Sequence, residues 1–418
     1  MTLSSKRGGS AASDEQEILP GILMSRLRTF DHYKTPLGTD GTPYAHYEML
    51  RDEAVEQNRF IHWSEAYGGF WVVVGWQESA DILANQADFS SSATTFPQYS
   101  TPSGKPFMLS GYDEPDHSKY RRIVQAPFTR PRTLRMLQQM RELSNMLLDN
   151  VSGQTHFDVC KVTDKLPGYA FCFIMGLSME SEHLYRRFAY AMVEGATNPE
   201  AAAPTIREMG EYWLKLIANR RKKPGDGLID ALISADCGGR PLTDEELLEF
   251  CTVLLLGGFD NTLRFLANAL YRLARNEDLR RALAGDPERI PSAIDEFLRL
   301  DAPACIFRLV RNTVRVGDVT MKAGDIAGLI YPICNRDPRQ FRDPDKFIIG
   351  RSPNRHLTFG QGIHHCLGAF LAHAEGVALI EQFLKRFPDF DLDSDRPARW
   401  GIGQVSGMQQ VPVVVRSH

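Results

Sequence analysis

The chain has no CxxC pair. Its seven cysteines, Cys160, Cys172, Cys237, Cys251, Cys305, Cys334 and Cys366, are scattered and odd in number. That spacing argues against a structural zinc site or a disulfide framework and fits a reducing cytoplasm. No run of about 18 apolar residues occurs, so no membrane span is expected. The opening MTLSSKRGGSAASDEQE lacks the apolar stretch of a signal peptide, and residues 1–25 read as a disordered tail ahead of a single domain over 26–418. An excess of one charge is missing too. Lys and Arg number 48 and Asp and Glu 52, a net −4, and nothing global points to nucleic acid. No internal repeat is visible. The Gly-rich stretches lack the strand–GxGxxG–helix setting of a flavin or nicotinamide site.

What is present is an ordinary globular composition, 43% hydrophobic and 24% charged, over a length that buries a large core without staples. Residues 44–58 have helical spacing. Phe60–Ser64 and Phe70–Val74 read as strands joined at Gly68-Gly69, and 76–85 reads as helix. Residues 88–110, rich in Ser, Thr, Gly and Pro, read as a long loop of the kind that often binds something. From 115 to 300 the pattern is mostly helical. Its longest helix, Thr243–Asn276, opens with a capping-box spacing of Thr243 to Glu246. Val253 to Leu256 is apolar all round, so that stretch reads as buried. Gly257-Gly258 then cost roughly 1 kcal/mol each against alanine, which calls for compensation such as a ligand lying on the backbone. Short strand-like runs fill 309–332, ordered coil 333–363, a helix 367–387, and a β-rich tail ends in VPVVV. The fold class expected is mainly α with small β-sheets, the last strands returning to the first.

The segment with most chemistry is Phe359-Gly360-Gln361-Gly362-Ile363-His364-His365-Cys366-Leu367-Gly368. Alternate glycines permit a tight turn with positive φ, which aims backbone N–H groups at the sulfur. Such donors, and the helix start that follows, favour thiolate over thiol. Gly368, in the first helical turn, lets a flat macrocycle approach. Upstream, Glu296-Phe297-Leu298-Arg299 puts two opposite charges on one helix face, a spacing common to surface pairs. His117 and Arg121 stand i,i+4 after Pro115, a helix-start residue.

The cysteine segment resembles, position for position, the heme-binding signature FGxGxHxCxG of the cytochrome P450 family, and that resemblance organises the rest. It implies a P450 fold, triangular and helical with a long central helix over the heme. It implies heme b ligated by the Cys366 thiolate and seated against Phe359, Gly360 and Gly368. His117, Arg121, Arg308 and His364 match the family's contacts to the heme propionates. Glu296 and Arg299 match its ExxR pair and Arg351 the third charge, a buried structural network. Gly257-Gly258-Phe259-Asp260-Asn261-Thr262 resembles the oxygen-activation motif [AG]GxDT[TS]. The glycines then open the groove where dioxygen sits, and Asp260 helps deliver protons.

One departure carries information. Asn261 stands where most of the family has threonine, and Thr262 is no simple substitute because one residue is about 100° around a helix. An amide offers two donors and one acceptor but no hydroxyl to relay a proton. Such an amide can hold the iron-bound dioxygen, a water or an oxygen on the substrate, and we read Asn261 as facing the substrate, a role it can share with water. Stretches such as LLLGGFDNT and SPNRHLTFGQGIHHCLGA also look like the bacterial cineole-hydroxylating group, whose members are terpene hydroxylases. By the same resemblance Phe96, Tyr99, Leu256, Phe259, Ala304, Ile306, Val405 and Met408 surround the substrate. That wall is mostly apolar and suits a small molecule with one oxygen. The expected activity is hydroxylation with O2 and two electrons from a separate flavodoxin or ferredoxin with its reductase. Lys119, Arg122, Arg130 and Arg132 form a candidate docking face. An oxidative O-demethylase and a non-catalytic heme sensor are the alternatives.

Overall fold

The computed structural model describes residues 25–97, 105–195 and 197–416. The expected N-terminal tail and Tyr99 therefore lie outside the described residues, Ser25 excepted. The first part of the chain runs α1 (Tyr44–Glu56), β1 (Ile61–Ser64), β2 (Phe70–Val73), α2 (Trp76–Ala84) and the short β3 (Phe89–Ser90). The helical part follows: α3 (Asp116–Val124), α4 (Arg130–Asp149), β4 (His156–Asp158), α5 (Cys160–Thr163), α6 (Leu166–Met175), α7 (Glu182–Glu194), α8 (Pro199–Lys222), α9 (Leu228–Ile233), α10 (Asp244–Arg275), α11 (Glu277–Gly285) and α12 (Ile290–Leu300). Then come β5 (Cys305–Val310), β6 (Val314–Val316), β7 (Val319–Met321), β8 (Ile326–Ile330), α13 (Tyr331–Cys334), α14 (Ala369–Arg386), β9 (Phe390–Leu392), β10 (Arg399–Gly401), β11 (Gly407–Gln410) and β12 (Pro412–Val415).

The late strands do return to the first. The main sheet has the order β1-β2-β8-β5-β3, with β8 parallel to β2. The tail pairs back as well, β12 lying between β4 and β9. The β1–β2 connection is longer than a two-residue turn: Tyr67, Gly68 and Gly69 all have positive φ. Gly69 is required there, since a Cβ would lie 2.1 Å from the Trp63 ring. β5 starts at Cys305 rather than near 309. Its alternation is hidden by Arg308, a charged residue on the same face as Ile306.

α10 is the axis of the molecule. Its capping box forms, with Thr243 Oγ1 accepting from Glu246 N–H and Glu246 Oε2 accepting from Thr243 N–H at 2.7 Å. Phe250, Cys251, Leu255 and Phe259 belong to one hydrophobic core, with α6–α9, while Phe265, Leu266 and Leu270 belong to another, with α12 and α14. By length and composition α10 is apolar enough to cross a membrane, the one such helix among the described residues, yet 61% of its most apolar window is buried inside the protein. Its apolarity is that of a core helix.

Candidate functional site

Two glycines shape the cysteine loop as the pattern requires, Gly360 at φ 66° and Gly362 at φ 74°. The loop is pinned by Cys366 N–H donating to Phe359 O at 2.8 Å and His365 N–H to Gly362 O at 3.1 Å. α14 begins at Ala369, so Gly368 is the cap before the helix and not part of its first turn. A Cβ on Gly368 would meet nothing within 4 Å, and neither would one on Gly257 or Gly258 of α10.

Six of the seven cysteines are buried, and Cys366 alone is exposed. Its sulfur opens on a hollow, not on the outer surface: protein crowds it enough that burial pushes the thiol up, while the Gly368 amide and the Arg121 guanidinium pull it down. One amide at the sulfur is fewer than the turn led us to expect. A cation bonded to the sulfur would supply the missing stabilisation of the thiolate.

Around the loop stand nitrogen donors without acceptors. The rings of His117 and His364 lie 4.2 Å apart. Both ring nitrogens of His117 and Nε2 of His364 are buried with no hydrogen-bond partner. Burial lowers His117, with Arg121 adding to it, and lowers His364 to about 3, with Arg308 and His117 adding. Arg308 is 5% exposed, donates from Nη1 to the Phe307 carbonyl at 2.8 Å, and makes no ion pair among the described residues. Arg121 donates from Nη2 to the His365 carbonyl at 2.7 Å. Buried donors normally find partners. Two carboxylates on the rim of a flat ligand would satisfy all of these, and the side-chain-free surface at Gly368 leaves room for its plane. The residues present fit heme.

The charge network is as expected and larger. Glu296 and Arg299 are both fully buried and bonded at 2.7 and 2.8 Å, and Arg351 Nε reaches Glu296 at 2.9 and 3.2 Å. Asn354 and the Ile348 amide complete the carboxylate's shell, each at 3.1 Å, members that no pair motif announces.

Across the hollow the structure corrects three expectations, those for Phe259, Met408 and Phe96. Asp260 is 6% exposed and forms an ion pair with Arg264. Burial raises its carboxyl and Arg264 opposes that rise. The i,i+4 spacing of Arg264 was there to be read. Asn261 is half-buried, on the same side of α10 as Val253 and Gly257, and Thr262 is 8% exposed. Phe259 does not line the hollow. It lies about 160–200° around the helix from Gly257 and Asn261, and packs on Phe171 in the core. Met408 is 1% exposed and is also core. Phe96 packs on Phe307 and Phe70, with ring centroids 5.7 and 5.4 Å away. Alternation along β5 puts Phe307 on the face opposite Ile306 and Arg308, so Phe96 lies behind the sheet. Ala304 and Val405 do meet, in an antiparallel bridge, and Ile306 and Leu256 are half-buried. β5 thus carries Arg308 toward His364, and Ala304, just before it, meets Val405.

The comparisons agree with this geometry. The family model "Cytochrome P450" matches residues 288–399. A protein named cytochrome P450 107B1, from Saccharopolyspora erythraea, is 31% identical over 385 residues, 88% of this chain and 93% of the relative. The mycinamicin IV hydroxylase/epoxidase of Micromonospora griseorubida is 31% identical over 382 residues, 88% and 94%. Among solved structures, CYP101J2 superposes with a TM-score of 0.84 at 26% identity, covering 95% of this chain and 98% of that one. A single accessible sulfur ringed by donors that lack acceptors is explained by this kinship: the chain belongs to the cytochrome P450 family, monooxygenases whose heme b is held by a cysteine thiolate.

Proposed function

We propose that this monooxygenase, a single domain over 26–418 working in the cytoplasm, hydroxylates a small, mostly apolar, terpene-like molecule that carries one oxygen. The observation that carries the reading is Asn261, a half-buried amide on the open face of α10 beside two glycines without side chains. Ala304, Ile306, Val405 and Leu256 supply apolar wall. One polar group in such a wall fixes orientation, and the rest excludes water.

Bound heme supplies the activation of dioxygen, and the thiolate favours cleavage of the O–O bond. The chain does the rest. Cys366 Sγ would hold the heme iron. His117, Arg121, Arg308 and His364 would hold the propionates, with Phe359 and Gly360 shaping the cysteine loop. The Asp260 carboxyl takes and gives a proton. Asn261 grips the substrate's oxygen, and Thr262 stays behind it. Electrons come from a flavodoxin or ferredoxin with its own reductase. Arg122, Arg130 and Arg132 are exposed and, like Lys119, make no ion pair among the described residues, which suits an acidic carrier.

A mycinamicin-like substrate is the second reading, favoured by the name of one relative. O-demethylation of a small ether uses the same residues and differs in the carbon presented. A non-catalytic heme sensor would have no need of the Asp260–Arg264 pair. Titrating the ferric enzyme with cineole, an aromatic methyl ether and mycinamicin IV, and following the spin-state shift, decides among them. The expected result is a shift with cineole that weakens at least about tenfold in Asn261→Ala, the loss of roughly 1.4 kcal/mol for one hydrogen bond. A shift with mycinamicin alone, or an affinity indifferent to Asn261, overturns the proposal.

A further inference from the structure

Among the described residues Asp260 has one cation within reach, Arg264, and that cation also holds the substrate wall. Arg264, one turn further along α10, places Nε 3.3 Å from Asp260 Oδ1, with side chains only 12% and 8% exposed. Its Nη1 donates to the Met408 carbonyl at 3.1 Å. Its stem is a packing surface for the same turn, because a Cβ on Gly407 would lie 2.9 Å from Arg264 Cβ. One turn beyond, buried Asn268 accepts from Met408 N–H at 2.8 Å and donates to the Asp301 carbonyl at 3.3 Å. Residues 407–408 are therefore seated on α10 by two side chains, and one of them is ion-paired to Asp260.

The same turn carries the wall. Val405 bridges Ala304, Cys305 N–H donates to Gln404 O at 2.9 Å, and Ser406 N–H donates to Pro303 O at 2.7 Å. A substrate that presses on Val405 presses on a turn whose next anchor is Arg264.

We propose that Arg264 is a positioning residue that couples the two sides of this arrangement: the seating of the turn at 405–406 and of the first β11 residues, Gly407 and Met408, sets where the guanidinium lies, and the guanidinium sets the charge on Asp260. The inference rests on the reading of Asp260 as the acid that handles protons. The surrounding charges give the coupling its direction. Burial drives the Asp260 carboxyl toward its protonated form and Arg264 is the opposing cation. Asp164, directly after α5, feels the same Arg264 and also Arg186 of α7, while burial pushes it up to about 6. Tyr190 of α7 senses Asp164, Arg264, Arg186 and Asp260. Asp164 and Asp260 thus compete for one guanidinium. When the turn draws Arg264 away from Asp260, Asp260 keeps its proton. When the turn lets it approach, Asp260 releases it.

The test follows the Asp260 carboxyl itself, by its infrared band in the ferric holoenzyme against pH, assigned by difference from Asp260→Asn. Arg264→Gln is expected to move the midpoint upward, and Arg264→Lys to restore part of the shift. Gly407→Ala and Asn268→Ala, which disturb the seating of the turn but keep Arg264, are expected to move it in the same direction by less. Either of the last two suffices if the other does not fold. An unmoved midpoint in Arg264→Gln overturns the charge assignment. A midpoint that moves in Arg264→Gln and in neither turn variant overturns the coupling. Should Asp260→Asn turn over with the same product per electron pair as the wild type, the reading of Asp260 fails while these midpoints stand.

Discussion

The two sides of the hollow are built from different kinds of sequence. The thiolate side lies within ten consecutive residues, Phe359 to Gly368, and folds on itself through two positive-φ glycines and two backbone hydrogen bonds. The opposite side is gathered from the middle of α10, the approach to β5 and the turn before β11, brought together by Arg264, Asn268 and a single bridge between Ala304 and Val405. The first side fixes the chemistry shared by the family. The second is assembled from segments far apart in the chain, so its side chains are set by contacts between elements and not by one local motif.

The sharpest way to break that comparison is at the sulfur. Cys366→Ser keeps the turn, since Gly360 and Gly362 still set the backbone, but removes the soft anionic ligand. Turnover is expected to vanish, and the reduced carbon-monoxide spectrum to lose its thiolate-type band. A retained band would mean that another group ligates the metal and that the loop is not the centre of the site.

The same contrast explains what was legible from residues alone. Helix α10, its capping box and the positive-φ glycines of the thiolate loop follow from local spacing, and the loop's role follows from its resemblance to the family signature. The Glu296–Arg299 pair is legible only with its position in the chain, because i,i+3 opposite charges are common on surfaces. Phe259, Met408 and Phe96 were misread for one physical reason. Segment membership says which stretch borders a hollow, but which side chain of that stretch faces it depends on helical phase and strand alternation relative to distant neighbours. Phe259 is half a turn wrong and Phe96 one sheet face wrong. Arg264 was missed although its spacing to Asp260 is local, because nothing in the motif asks for a partner there.

The next largest effect belongs to the support beneath the thiolate. Glu296→Gln leaves Arg299, fully buried, and Arg351 without their shared anion. Removing one member of a buried charge network costs about 3–5 kcal/mol. The urea midpoint of the holoenzyme is expected to fall accordingly, with the substrate-induced spin shift surviving in whatever remains folded. A loss under about 1 kcal/mol, the level of a surface pair, would show that the network does not hold the loop.

The smallest expected effect separates two buried carboxyls, one on each side. Asp260 has Arg264 beside it, whereas Glu375 of α14 is 2% exposed and makes no hydrogen bond or ion pair among the described residues. Burial alone pushes Glu375 from 4.5 up to about 8. At neutral pH the folded chain therefore holds a proton that the unfolded chain releases. The sign follows: this stabilisation is complete below about pH 4.5 and is lost as pH rises through about 8. Glu375→Gln carries the neutral form at every pH. Its urea midpoint is expected to match the wild type at pH 5 and to exceed it by a growing margin between pH 6 and 9. Asp260→Asn, by contrast, removes a carboxyl whose rise Arg264 tempers, and its stability profile is expected to diverge less from the wild type over that range. Equal divergence in the two variants would mean that Arg264 does not offset the burial of Asp260, and the difference between the two sides would reduce to the thiolate alone.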